Sequence, residues 1–196
     1  MIYFSADLHL GHSGVLKMSN RPFSNIEEHD EHLIDSINSL VGKRDDLYIL
    51  GDFAWREPQK YLSQIKCRNR FLIRGNHDQK NIHSYIKNVY DTREVKIPFP
   101  EEGPRTKVWL SHYPHAYWPS SHYGALHLYG HLHSMREETL DTAFPRRRAM
   151  DVGVDNAYRL LGQYRPFSAE EIYGILSIKE NHDPVEWYRE NYGAKE

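Results

Sequence analysis

The stretch Ile2-Tyr3-Phe4-Ser5-Ala6-Asp7-Leu8-His9-Leu10-Gly11-His12 decides how the chain is read. Residues 2–6 are rich in strand-forming side chains. The run then breaks into acid, imidazole and glycine. In open α/β sheets, ligands gather just beyond the carboxyl ends of strands. A strand that ends in Asp7 and His9 therefore reads as the rim of a site.

The same grammar recurs along the chain. Leu47-Tyr48-Ile49-Leu50 runs into Gly51-Asp52, and Phe71-Leu72-Ile73 into Arg74-Gly75-Asn76-His77-Asp78. Val108-Trp109-Leu110 leads to Ser111-His112-Tyr113-Pro114. A further strand over 125–129 leads to Gly130-His131-Leu132-His133. Two more strands are predicted over 95–99 and 149–154.

Helical spacing fills the gaps in the first half. Ile26, Leu33, Ile34, Ile37, Leu40 and Val41 predict an amphipathic helix over 26–41. It opens with a capping box at Ser24-Asn25-Ile26-Glu27 and stops at Gly42. Pro58 starts a short helix to 66 with Tyr61, Leu62 and Ile65 on one face. A helix is also expected over 80–90. Ser168-Ala169-Glu170-Glu171 is a second capping box, heading a late helix. Strands alternating with helices, followed by a strand-rich half, predict an α/β fold with two sheets.

The bulk numbers set bounds. A chain of 196 residues is read as one domain over 1–196, with a polar segment from about 177. Hydrophobic residues make up 39% and charged residues 27%, which excludes wholesale disorder. The 25 Lys and Arg against 27 Asp and Glu give a net charge of −2, so there is no global electrostatic footprint for nucleic acid. The lone Cys67 fits a reducing compartment. With no basic leader and no apolar run of membrane-spanning length, a cytoplasmic location and no membrane partner are expected.

Five strand ends thus supply metal-ligand residue types: Asp7 and His9, Asp52, Asn76 and His77, His112, and His131 with His133. Residues two apart in an extended loop point to the same side, so each such pair can grip one ion. Imidazole, carboxylate and amide oxygen together suit Mn²⁺, Fe, Zn²⁺ or Ni²⁺, Mn²⁺ foremost, better than Ca²⁺. The count suffices for two ions.

In this order, Asp-x-His, Gly-Asp, Gly-Asn-His-Asp, His and Gly-His-x-His resemble the calcineurin-like metallophosphoesterase superfamily in all five blocks, from residue 7 to residue 133. DLHLGH, the Arg21-Pro22-Phe23 turn, GDF and RGNHD are closest to its small bacterial and phage-type branch. The resemblance implies a four-layer α/β/β/α sandwich with two central mixed β-sheets. It implies that Asp7, His9 and His133 bind a first metal, that Asn76, His112 and His131 bind a second, and that Asp52 bridges them. A metal-bridging hydroxide would attack phosphorus, and His77 would protonate the leaving oxygen. In one respect the chain departs from the protein phosphatases of the superfamily. They carry Gly-Asp-x-x-Asp-Arg-Gly, whereas Gly51-Asp52-Phe53-Ala54-Trp55-Arg56-Glu57 puts Trp55 where the acid that orients the catalytic histidine would stand. The partner of His77 is left open, with Asp78 a candidate, and the departure argues against a phosphoprotein phosphatase.

The implied activity is hydrolysis of a phosphomonoester or phosphodiester. The substrate is read as a nucleotide or other small phosphate ester, with a nuclease acting on nucleic acid or its ends as the alternative. A non-catalytic scaffold would be expected to have lost ligands, and a mononuclear zinc hydrolase would hold one ion. Other residues carry two readings. His12, Arg56 and Arg74 either contact substrate phosphate or lie on exposed loops. The aromatics of 113–123 either stack a nucleobase or form a packed loop, the latter favoured. Asp151 and Asp155 are partners of ligands or turn residues. His29, His32, His83 and His182 are expected to be solvated, His127 packed, Cys67 inert, and Arg146-Arg147-Arg148 a solvated basic loop.

Overall fold

A computed structural model describes residues 1–99, 106–144 and 147–179. It contains two mixed sheets. The first has the order β4-β3-β2-β1-β9, built from β1 (Ile2–Ser5), β2 (Asp46–Ile49), β3 (Asn69–Ile73), β4 (Asn88–Tyr90) and β9 (Phe167–Ser168). Only β9 runs antiparallel to its neighbour. The second has the order β5-β6-β7-β8, from β5 (Thr92–Ile97), β6 (Thr106–Ser111), β7 (Leu126–Tyr129) and β8 (Ala149–Asp151), with β5 antiparallel.

Alternation along the strands creates the layers. Tyr3, Leu47, Ile49 and Leu72 face one side and pack with Leu33, Ile34 and Ile37 of α2 (Ile26–Leu40) and with Tyr61 and Leu62 of α3 (Pro58–Leu62). Phe4, Tyr48 and Ile73 face the other side and meet Val108, Leu110, Leu126, Leu128 and Met150 of the second sheet. Trp109, Tyr129 and Ala149 turn outward beneath Trp118 and Leu140, the latter from α4 (Glu137–Ala143). The order is helix, sheet, sheet, helix, as the resemblance implied. The strand parity is what separates the cores, because successive side chains leave a strand on opposite faces. Ile172 and Leu176 of α6 (Ala169–Ser177) join the inter-sheet core. No helix of the described residues is long and apolar enough to cross a membrane.

Several expectations change in detail. Residues 80–90 are not a helix: only a 3₁₀ turn forms at Ile82–Ser84, and Asn88–Tyr90 pairs with β3 as an edge strand. Here tertiary pairing overrides local spacing. The first cap lies one residue later than expected. Asn25 accepts from Glu28 N–H at 2.8 Å, while the Glu28 carboxylate accepts from Ser24 N–H at 2.8 Å. The Ser168 capping box is present as expected. Beyond Lys179 the polar C-terminal segment, His182 included, lies outside the described residues, as does Arg146.

Candidate metal centre

The five strand ends converge on one edge of the sandwich. After β1, residues 7–10 run beside residues 51–54, with Asp7 N–H donating to Gly51 O (3.1 Å) and His9 N–H to Asp52 O (2.9 Å). To turn their side chains inward, Asp7, His9, Asp52, His131 and His133 all adopt left-handed backbone, with φ of 54°, 50°, 53°, 72° and 48°. Each such residue stores on the order of 1–3 kcal/mol unless its surroundings enforce it. Five together mark a place where geometry is held at the expense of stability.

The glycines preceding Asp52 and His131 make the close approach feasible. A Cβ on Gly51, at φ +90°, would lie 2.7 Å from Cγ of His112 and 2.8 Å from the Cα of Gly75. One on Gly130 would meet the Ala6 Cβ at 2.6 Å and Asp7 Oδ2 at 2.8 Å. A Gly130 Cβ would also lie 3.2 Å from Leu50 O, so loops from opposite sheets close to within contact at the centre.

Two triads have ligand atoms mutually within 4.8 Å: Asp7, His9 and His133, and Asp7, Asp52 and His112, all buried. Oδ2 of Asp52 lies 3.5 Å from both His9 Nε2 and His112 Nε2, between the two halves. Its Oδ1 accepts from His77 N–H at 2.9 Å. Asp7 thus belongs to both triads, whereas the resemblance assigned it to one. Asn76 Oδ1 stands 3.0 Å from His112 Nε2. The His131 ring packs 5.1 Å from that of His112, and the His131 backbone N–H donates to Asp7 Oδ2 at 2.8 Å. His77 is exposed above the centre, its ring 5.4 Å from that of His9.

The residues fit divalent cations. Asp7 Oδ1 and His9 Nε2 are buried, with no hydrogen-bond partner among the described residues. An orphaned buried carboxylate oxygen beside an orphaned imidazole lone pair is costly unless a cation satisfies both. The titration of the cluster says the same. Burial, then the charges of Asp151, Asp52 and Asp155, push the Asp7 carboxyl well above its ordinary range. Burial also raises Asp52 and takes Asp151 up to about 7. It pushes His9 down to about 2, helped by His133 and Arg21, and lowers His112. Buried acids that resist ionisation, among imidazoles that resist protonation, are the mark of a desolvated cluster. Bound cations invert that logic.

The imidazoles are oriented from behind. The His112 Nδ1–H donates to Leu50 O at 2.8 Å, which leaves Nε2 as the lone pair facing the centre. His133 Nδ1 lies 2.6 Å from Asp155 Oδ2. Burial alone would raise Asp155, but hydrogen bonds from His133 and Arg21 hold it at about 2. Asp155 is thus a partner of His133 rather than a mere turn residue. Asp151 accepts from Ser134 N–H (3.0 Å) and Gly153 N–H (2.6 Å) and shapes the loop around His133.

Asp78 does not orient His77. Its two oxygens accept backbone N–H groups of Asp52 and Gly75 (3.0 and 2.8 Å) and of Phe53 (3.0 Å), tying the second and third loops together. Around His77 lie Trp55, at 5.2 Å between centroids, and His12, which stacks on Trp55 at 4.4 Å and 15°. Arg74 is exposed, 3.6 Å from Asp91, and Arg56 lines a surface cleft of about 820 Å³. Neither bonds to the cluster among the described residues. His29 is buried, not solvated, because it accepts from Arg21. Arg147 and Arg148 are buried too, the first on Tyr129 Oη at 2.7 Å. His127 is packed as expected, and the Trp118 indole N–H is tied to Ala125 O within a folded loop. Arg21, His29 and Asp30 were not singled out as site residues. The only sequence signal was the Arg-Pro-Phe turn.

The chain is 28% identical to the gene 66 protein of Mycobacterium phage L5, over 89% of this chain and 93% of that protein. It is 26% identical to the uncharacterized protein MJ1445 of Methanocaldococcus jannaschii, covering 89% and 90%. The crystal structure of a protein of unknown function, AQ665 from Aquifex aeolicus, shares the fold. Its TM-score is 0.69 at 24% identity, over 89% of this chain and 98% of that one. The sequence pattern of the calcineurin-like phosphoesterases matches residues 1–195, and the chain belongs to that family.

Proposed function

We propose that the chain hydrolyses phosphomonoester or phosphodiester bonds with two divalent ions, Mn²⁺ before Fe, Zn²⁺ or Ni²⁺. The substrate would be a nucleotide or another small phosphate ester. The observation that carries this reading is the pair of buried triads meeting at Asp7, with Asp7 Oδ1 and His9 Nε2 unpartnered. Ions bound there would supply Lewis acidity toward phosphoryl oxygens and acidify the attacking water. Asp7, His9 and His133 would hold one ion, Asn76, His112 and His131 the other, and Asp52 Oδ2 would serve both.

The remaining groups act on the substrate. His77 has its backbone pinned to Asp52 and its ring exposed, so it can reach the leaving oxygen and donate a proton. Trp55 and Tyr113, 38% and 46% exposed, border the centre. Trp55 adjoins His77, and Tyr113 packs on His131 at 4.7 Å. Two exposed rings beside a phosphate site suit a flat organic group such as a nucleobase. The cleft lined by Arg56, Lys60, Gln79 and Tyr85 supports the alternative of a nucleic-acid end. Steep salt dependence of oligonucleotide binding would favour it.

The test is hydrolysis of p-nitrophenyl phosphate and bis-p-nitrophenyl phosphate by metal-stripped protein resupplied with Mn²⁺, with metal content measured alongside. About two ions per chain with metal-dependent turnover is expected, and Asp52→Asn should abolish that turnover. Absence of both turnover and bound metal would sink the reading.

A further inference from the structure

Behind the Asp7, His9 and His133 half of the centre lies a guanidinium with no exposed surface, that of Arg21. An arginine carries five N–H donors in a rigid plane, and here five acceptor positions receive them. Nε–H and one Nη2–H donate to Asp155 Oδ1 and Oδ2, both at 2.8 Å. The other Nη2–H donates to Asp7 O at 2.7 Å. Nη1 donates to Leu8 O at 3.1 Å and to His29 Nε2 at 2.8 Å.

Each acceptor leads to a ligand. The carbonyls of Asp7 and Leu8 belong to the loop that sets Asp7 and His9 in left-handed backbone, and strained backbone persists only where its surroundings over-determine it. Asp155 in turn accepts from His133 Nδ1 at 2.6 Å, with Ser19 Oγ also 3.0 Å from that nitrogen. His29 accepts at Nε2, so its proton is on Nδ1 and goes to Asp30 Oδ1 at 2.8 Å. Asp30 accepts from Gly11 N–H at 2.9 Å, where the ligand loop ends. The circuit leaves the loop, passes through Arg21 and returns to the loop.

We propose that Arg21 is a positioning residue for this half of the centre, an inference that rests on the dinuclear reading above. It fixes the loop of Asp7 and His9 by its carbonyls and the tautomer of His133 through Asp155. Among the described residues it makes no hydrogen bond or ion pair with Asn76, His112 or His131. Lysine has three donors and no planar fork, so it cannot serve all five positions.

The experiment is Mn²⁺ titration of metal-stripped wild-type protein, Arg21→Lys and Asp155→Asn, followed by electron paramagnetic resonance, with thermal unfolding recorded for each. Wild type should bind two Mn²⁺ with a spin-coupled spectrum. Arg21→Lys should stay folded and bind one of the two about 10–100-fold more weakly, showing an isolated-ion signal at one equivalent. Asp155→Asn keeps the side chain's size, so it serves if the lysine variant fails to fold. An amide facing His133 favours the tautomer with the proton on Nε2, and no lone pair is then offered to an ion. The same selective weakening is expected.

Two coupled Mn²⁺ at wild-type affinity in the folded variants would overturn the proposal, as would equal weakening of both ions. A lowered melting temperature with unchanged Mn²⁺ binding would reduce Arg21 to a structural role and also overturn it. Failure of wild type itself to bind two ions would instead bring down the dinuclear reading, and this inference with it.

Discussion

Replacing His127 by glutamine should flatten the acid side of the stability curve. The ring is fully buried, donates from Nδ1 to Trp109 O at 3.0 Å and accepts at Nε2 from His115 N–H at 3.1 Å. Both nitrogens are satisfied in the neutral form, and a second proton would point at a donor. Burial pushes the group from its ordinary 6.5 down to about 3. As pH falls below 6.5, the unfolded chain binds a proton that the folded chain refuses. Stability is therefore lost progressively until about pH 3. Across the roughly 1.5 units from 6.5 to pH 5, at about 1.4 kcal/mol per unit, the loss is roughly 2 kcal/mol. The glutamine variant sacrifices the Trp109 bond, about 1–3 kcal/mol at neutral pH, but has no such titration. Urea unfolding of both proteins at about pH 7.5 and pH 5, with chelator present so that metal does not intervene, measures the difference. Wild type should lose about 2 kcal/mol more than the variant over that interval. Parallel losses, within about 0.5 kcal/mol, would refute the reasoning.

Two further substitutions probe the centre. Gly51→Ala forces a Cβ onto the His112 ring at a backbone angle of +90°, so it should cost about 2–4 kcal/mol in urea melts and displace a ligand. Wild-type stability with wild-type Mn²⁺ affinity would contradict that. His77→Ala should retain metal and lower turnover roughly 10²–10⁴-fold for alkyl phosphates, much less for p-nitrophenyl esters whose leaving group needs no proton. Equal losses on both esters would remove His77 as the acid.

What the sequence showed plainly was local. Asp7 and His9, Asp52, Asn76 and His77, His112, and His131 with His133 each follow a run of strand formers directly, so the strand and its cargo are read together. The helix at 26–40 was equally plain, because its apolar face repeats over four turns. Residues 80–90 misled because Ile82, Ile86 and Val89 are spaced as on a helix, while the pairing of Asn88–Tyr90 with β3 is not a local property. Arg21 and Asp155 are 134 residues apart, and nothing near either announces the other. The basic run failed for the same reason: Arg147 finds Tyr129 and Asp141 only once β7, β8 and α4 are assembled.

Each triad draws on both sheets. Asp7, His9 and Asp52 extend from the first, His133 and His112 from the second, so neither triad is complete within one layer. An ion held by either triad would therefore rivet the two layers across their seam, in a chain whose one cysteine can form no internal crosslink. A folding species in which a single sheet has formed would offer neither triad complete, and so would bind an ion more weakly than the native chain. If the seam closes after the rate-limiting step, metal should slow unfolding far more than it hastens folding. Protease resistance would then track metal occupancy as a lifetime, through the rate at which the seam opens.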